Sequence, residues 1–390
     1  MSWKRSSRRV FYLITAVAAG SGLIYVLSIA GNGMKGPLEN LMIQTTEAVH
    51  DVEQHAILEQ REDKRSDKLE WFKPMIENVE KLKHPTTMLF GASDSYSKES
   101  FESIINLEDS LKTTFPLIHI YAAWGSKEDE KFPNLEVKTI LELGSVPVIT
   151  WEPWLSDFEE TEYPGIPKSD KREKGCLGEI AKGIYDKYIK EWALEAKAIG
   201  KPVMLRVGHE MNDPYRYPWG PQNNKPEEFV AAWKHIHSVF DKVGANNVLW
   251  IWSPHLSYGY FDAFYPGDKY VDYVGVGVLN YGTSVNWSKW WTFQEIFGNY
   301  YAEILKYKKP IMITEFGSLS IGGNRAQWFD NAFLLLQTKF KAVKSILFFH
   351  YSSDNTITDK ALDWQFKDDA GSLKIIRKNI KQFNHTASQR

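Results

Sequence analysis

From about residue 86 onward, short apolar runs alternate with stretches whose apolar residues recur every third or fourth position. The runs are Thr87–Gly91, Leu117–Ala122, Val146–Trp151, Val203–Val207, Val248–Trp252, Tyr273–Val278, Ile311–Thr314 and Ile346–His350. They are continuous and rich in Val, Ile, Leu and aromatic residues, as strands buried on both faces are. Helical patterns lie between them. Residues 179–199 repeat Ile180, Ile184, Tyr188 and Trp192 along one face and stop at Gly200. Residues 226–243 open on Pro226-Glu227-Glu228 and stop at Gly244, and residues 325–342 carry a further stripe. Strands and helices alternating in this number predict an α/β fold, a (β/α)8 TIM barrel over 86–390. A doubly wound open sheet is the alternative. The Gly-rich phosphate loop expected after its first strand is absent, because the first run leads into Ala92-Ser93-Asp94.

The N-terminal pattern is different. Lys4, Arg5, Arg8 and Arg9 make residues 1–9 a basic tail. The uncharged stretch from Val10 to Ala30 that follows is long enough to cross a bilayer as a helix. Basic flanks stay in the cytoplasm, so 10–30 is expected to anchor the chain with its bulk outside the cytoplasm, periplasmic or extracellular. A cleaved signal ending at Ser28-Ile29-Ala30, which would make the protein secreted, is the alternative. Residues 31–85 are charged and lack a clear apolar stripe, and are expected to form a juxtamembrane helical spacer.

Composition narrows the chemistry. The 47 Lys and Arg balance 49 Asp and Glu, which gives no electrostatic case for binding nucleic acid. Cys176 is the single cysteine, so neither an internal disulfide nor a cysteine-rich zinc site can form. No metal and no cofactor is expected. The aromatic content of 14% suits either a large aromatic core or surfaces that stack on sugar rings.

In a (β/α)8 barrel the active site lies at the C-terminal ends of the strands. The fourth run ends in Arg206-Val207-Gly208-His209-Glu210-Met211-Asn212, the seventh in Thr314-Glu315-Phe316-Gly317. The third ends in Trp151-Glu152-Pro153-Trp154, the fifth in Ser253-Pro254-His255 and the sixth in Asn280-Tyr281. Carboxylates at the ends of apolar strands are costly unless paired or used. Glu210 and Glu315, brought to one mouth, form the carboxylate pair that glycoside hydrolysis needs, one protonated and one ionised. A structural ion pair, for instance with Arg206, is the alternative for either Glu alone. His119 reads as a core histidine. His235 and His237 do not share a helix face and make poor metal ligands.

At these residues the chain resembles glycoside hydrolase family 26, which holds endo-β-mannanases and some β-1,3-1,4-glucanases and β-1,3-xylanases. His209-Glu210-Met211-Asn212 resembles the acid/base signature of that family, and Ile313-Thr314-Glu315-Phe316-Gly317 its nucleophile strand. Further likeness runs through Phe90-Gly91-Ala92, Tyr121-Ala122-Ala123-Trp124-Gly125, Trp151-Glu152-Pro153-Trp154, Asn247-Val248-Leu249-Trp250 and Asp272-Tyr273-Val274-Gly275, in strand order. The resemblance implies a retaining, endo-acting hydrolase of a β-linked polysaccharide, with Glu210 as acid/base and Glu315 as nucleophile. It implies that His209 helps hold substrate, that the Tyr281 hydroxyl faces the nucleophile, and that Trp219 and Trp364 are platforms for sugar rings. Asn212, Arg206, His255, Trp151 and Trp154 complete the expected substrate-binding set. The expected partners are the polysaccharide, the membrane through the N-terminal helix, and polysaccharide synthesis or export machinery. A catalytically weak carbohydrate-binding partner of such machinery is the alternative function, and the presence of Glu at both catalytic positions argues against it.

Overall fold

The computed structural model describes residues 65–387, apart from 96–99 and 359. The expected anchor over 10–30 and the beginning of the expected spacer lie outside the described residues. Among the described residues no helix is long and apolar enough to cross a membrane.

Eight parallel strands close a barrel in chain order. They are β1 (Leu89–Asp94), β2 (Leu117–Ala123), β3 (Val146–Glu152), β4 (Val203–Val207), β5 (Val248–Trp252), β6 (Tyr273–Asn280), β7 (Ile311–Ser318) and β8 (Val343–His350). The ring closes where β8 pairs with β1, from Ser345 opposite Leu89 to His350 opposite Asp94. Every expected run is a strand, and β4 and β5 match residue for residue. The run 311–314 stops short of the end of β7. That strand continues through Glu315 to Ser318 with every residue buried, because a polar residue interrupts an apolar run without ending the backbone pairing.

The helix Pro226–Val243 forms as expected, while the stripe over 325–342 ends earlier, in Arg325–Thr338. The stripe over 179–199 is two helices, Cys176–Ala181 and Asp186–Ile199. Between them Gly183 takes a φ of +85°, which breaks the repeat and leaves Ile184 exposed.

The described part of the expected spacer does not stand apart from the barrel. It makes four short helical turns, Arg65–Lys68, Glu70–Phe72, Lys73–Ile76 and Val79–Lys83. Leu69, Phe72 and Leu82 are buried against a ring of inward side chains that includes Leu117, Val148, Met204, Ile251 and Met312. This segment is the barrel's floor. Three apolar residues suffice to plug a ring, so it shows no amphipathic stripe in sequence. Full burial of each contributes about 1.5–3 kcal/mol. Arg65 fastens the plug with two bonds to Glu108, at 2.8 and 3.1 Å, and one to the Phe115 carbonyl at 2.9 Å.

Above the floor the inward side chains turn polar. Leu117 is followed at strand period by His119 and Tyr121, Val148 by Thr150 and Glu152, Met204 by Arg206, and Ile251 by Ser253. The chemistry is therefore carried at the C-terminal mouth, on the upper ends of strands whose lower ends are apolar.

Candidate active site

Arg206 organises the mouth. It is fully buried on β4 and donates through Nη1 to Glu315 Oε1 at 2.7 Å and Thr150 Oγ1 at 3.2 Å, and through Nε to Ser253 Oγ at 3.1 Å. Tyr121, at the top of β2, donates its hydroxyl to the same Glu315 oxygen at 2.9 Å. Burial alone would push the Glu315 carboxyl up, but the Arg206 guanidinium overrides it and holds the group down at about 2. Glu315 is thus ionised throughout the neutral range. His119 supports this arrangement from beneath, with Nε2 2.7 Å from Thr150 Oγ1. Burial, reinforced by Arg206, lowers His119 to about 3, so its ring is neutral.

Glu210 stands on the turn that follows β4. The turn is tight: Gly208 and Glu210 have φ of +50° and +52°. A left-handed conformation is costly for a non-glycine residue and persists only where the surroundings enforce it. Here the Glu210 amide donates to the Ser253 carbonyl at 2.7 Å and its carbonyl accepts from the Asp213 amide at 2.9 Å. Ser253 thereby fixes both Arg206, through its hydroxyl, and Glu210, through its carbonyl. The Glu210 carboxylate pairs through Oε2 with Arg216 Nη1 at 3.3 Å.

Each carboxylate therefore has one engaged oxygen and one that faces Gly277, at the β-bulge of β6. A methyl group at Gly277 would lie 3.5 Å from Glu210 Oε1 and 3.7 Å from Glu315 Oε2. The two oxygens are consequently at most about 7 Å apart, a span that admits the about 5–5.5 Å of a retaining pair.

The remaining candidates divide into those at the mouth and those behind it. His209 is buried with Nε2 3.0 Å from the Tyr217 hydroxyl, and burial, with Arg206 nearby, holds its imidazole well below its ordinary range and so neutral. Trp154 lies at the rim, half-buried, its Nε1 donating to Glu152 Oε2 at 3.2 Å. Tyr281 is half-buried, edge-on to Trp364 and to the exposed Trp287. The hydroxyl that reaches Glu315, however, is Tyr121's, from β2 rather than β6.

Trp219 and Trp364 are fully buried and cannot stack on a sugar. Trp219 lies parallel beneath Tyr217 at 4.6 Å and donates to the His209 carbonyl at 2.7 Å. Trp364 backs Tyr281 and donates to Asp354 Oδ2 at 2.9 Å. Trp151 belongs to the core outside the barrel, stacked on Trp192 at 4.3 Å. Arg206, with no exposure, holds Glu315 rather than substrate. Asn212 also turns away from substrate. Its amide donates to the His255 and Gly259 carbonyls at 2.8 and 2.9 Å and accepts from the His255 amide at 2.7 Å, clamping the loop after β5.

Glu210, Asp213 and His255 bring ligand-type atoms within 4.8 Å of one another. They suit a cation poorly. His255 Nδ1 accepts from the Ser257 amide at 3.2 Å, which puts the proton of the neutral ring on Nε2, and Arg216 already occupies Glu210. Sequence reasoning missed Tyr121, Arg216 and Tyr217. Tyr121 carried a signal, since it ends the second run at the same inward parity as His119.

The chain is similar to several known proteins. The model of glycosyl hydrolase family 26 matches residues 151–360. Endoglucanase H of Acetivibrio thermocellus is 31% identical over 293 residues, covering 73% of this chain and 29% of its own length. A mannan endo-1,4-beta-mannosidase of Bacillus subtilis is 28% identical over 192 residues, covering 47% of this chain and 46% of its own. The chain thus spans less than half of these relatives. Among solved structures, a β-mannanase from Bacteroides ovatus superposes with a TM-score of 0.54 at 17% identity, over 79% of this chain and 92% of that one. A Bacillus subtilis mannanase gives 0.51 at 20% identity, over 75% and 86%. At these identities the structures speak to the fold alone.

Proposed function

Because the chain belongs to glycosyl hydrolase family 26, we propose that it is a retaining, endo-acting hydrolase of β-linked polysaccharide, with Glu315 as nucleophile and Glu210 as acid/base. The observation that carries this reading is the pair of free oxygens, Glu210 Oε1 and Glu315 Oε2, facing one space beside Gly277. Arg206 and Tyr121 occupy Oε1 of Glu315 and leave Oε2 to attack the anomeric carbon. As that bond forms, Glu210 gives its proton to the departing glycosidic oxygen. Glu210 then takes a proton from water, whose oxygen displaces Glu315 and releases the sugar with its configuration retained. In the resting site Arg206 is ionised, since its contact with Glu315 outweighs the cost of its burial.

Identity to Endoglucanase H extends over more of the chain than identity to the mannosidase, which makes a β-glucan the first substrate to test and β-mannan the second. We also propose, from the uncharged stretch 10–30 behind a basic tail, that the barrel is held outside the cytoplasm. The test is incubation of the full chain with mixed-linkage β-glucan, β-mannan and β-1,3-xylan, with product sizes and the initial anomer recorded. One polymer should yield oligosaccharides of retained configuration, and Glu315→Ala and Glu210→Ala should each abolish release while still unfolding cooperatively, Glu315→Ala from a less stable fold because it leaves Arg206 unpaired. No release from any polymer, or undiminished release by Glu315→Ala, would overturn the reading.

A further inference from the structure

A third carboxylate stands at the mouth with no part in the double displacement. Glu152 ends β3, next to the turn that carries Glu210. Its Oε2 accepts from Trp154 Nε1 at 3.2 Å. Its Oε1 lies 3.8 Å from Nδ1 of the buried His209, too far for a hydrogen bond. His209 Nδ1 is itself buried and has no hydrogen-bond partner among the described residues.

The state of the imidazole follows from its other nitrogen. Burial keeps the Tyr217 hydroxyl protonated, and that hydroxyl is 3.0 Å from His209 Nε2. We assign Tyr217 as the donor to Nε2, which puts the single proton of the neutral ring on Nδ1. An N–H donor and a carboxylate acceptor thus stand side by side, each short of a partner and too far apart to satisfy one another. An unmet buried donor is expensive and calls for an occupant. One oxygen at about 2.7–3.0 Å from each would bridge the 3.8 Å between them. The occupant must both accept and donate, which is what a hydroxyl does.

We propose that Glu152 is a substrate-binding residue, which with His209 receives one hydroxyl of the sugar beside the scissile bond, the hydroxyl donating to Glu152 Oε1 and accepting from His209 Nδ1. This rests on the hydrolase reading above and adds to it a polar contact on the β3 side of the cleft. The ligand is a neutral, hydroxylated sugar unit.

The charged and titratable groups around Glu152 are His209, Arg206, Glu315, Arg216, Tyr217 and Tyr351. Burial raises the Glu152 carboxyl to about 7, while Glu315 lies far below that and His209 stays neutral. An ionised acceptor holds the hydroxyl better than a protonated one. Binding should therefore weaken as pH falls from 8 to 6. A residue that merely packs Trp154 would give no such step.

The test is calorimetric titration of the full chain carrying Glu315→Gln, so that ligand is not cut, with a mixed-linkage β-glucan tetrasaccharide and with mannotetraose. One should bind, more weakly at pH 5 than at pH 8, the step lying below the native one because Glu315→Gln removes a charge that helps raise Glu152. Adding Glu152→Gln should weaken it about tenfold at pH 8 and remove the pH step, and Glu152→Ala should weaken it at least as much. Glu152→Gln keeps size and an acceptor for Trp154, so its thermal midpoint should match the parent. Affinity within twofold in both Glu152 variants, or a pH step that survives Glu152→Gln, overturns the proposal and leaves the hydrolase reading standing; a bridging water in place of a sugar hydroxyl gives that first result. Failure of the Glu315→Gln chain to bind either oligosaccharide overturns both.

Discussion

Replacing Arg206 with Met should cost about 3–5 kcal/mol of stability at pH 7, the usual penalty for breaking a buried ion pair from one side. The structure says how that loss must depend on pH. In the native chain Glu315 is held at about 2 against an ordinary 4.5. A carboxyl depressed on folding stabilises the fold above its unfolded value, and the gain is lost as pH falls from about 4.5 toward 2. At pH 7 that gain is about 3 kcal/mol. With Met at 206 the chief lowering influence is gone and burial pushes Glu315 above 4.5, so that the variant becomes less stable as pH rises. Both effects act in one direction. The gap between native and variant chains is widest at pH 7 and narrows in acid, by at least about 1 kcal/mol between pH 7 and pH 3.5. Urea unfolding followed by the fluorescence of the 15 tryptophans measures it at both pH values without any substrate. A gap of equal size at both would mean that Arg206 contributes packing alone, and the electrostatic account of Glu315 would fail.

Tyr121→Phe removes the 2.9 Å bond to Glu315 and leaves the ring packed between His119 and Tyr351. Steady-state hydrolysis should show kcat about tenfold lower, with the melting temperature nearly unchanged, and full turnover would show that the hydroxyl is idle. Gly277→Ala adds a methyl group in ordinary contact with both carboxylates, so the chain should fold normally. The methyl group nevertheless enters the space assigned to the sugar, and kcat/KM should drop at least tenfold; an unchanged value would mean that the ring binds elsewhere. A chain beginning at residue 86 lacks Leu69, Phe72 and Leu82 and exposes the apolar lower ring. It should aggregate in size-exclusion chromatography, whereas a chain beginning at residue 57 should elute as a compact species. A well-behaved, cooperatively unfolding chain from 86 would show that the floor is dispensable.

The barrel was legible because its strands are buried on both faces, and burial on both faces writes a continuous apolar run whatever the neighbours are. The two catalytic candidates were legible because a carboxylate at the end of such a run stands out. The rings around them were not. Trp219 and Trp364 were expected as platforms and Trp151 as a substrate contact, yet each is buried, since the sequence does not say which side of a strand-end loop a ring will face. The floor was misread for a related reason: a plug needs a few apolar residues in the right places rather than a periodic stripe. Reading each strand at a period of two, from the floor upward, recovers part of what was missed, because Tyr121 and Arg206 then fall on the same inward rows as Leu117 and Met204.

What no row of residues discloses is the difference between two chemically identical side chains. Glu210 and Glu315 both end apolar runs and both meet an arginine. Arg206 is wholly buried and lies 2.7 Å from Glu315, while Arg216 is partly open to solvent and 3.3 Å from Glu210. A charge pair in a dry, short contact is coupled far more strongly than one that water reaches. The first carboxylate is therefore fixed in one charge state, which suits a nucleophile. The second, on a strained turn, has a longer contact with a partly exposed partner, which suits the acid/base role proposed for it. Two equal acids differ in surroundings because the fold puts their two arginines in different places, and the proposed division of labour rests on that difference.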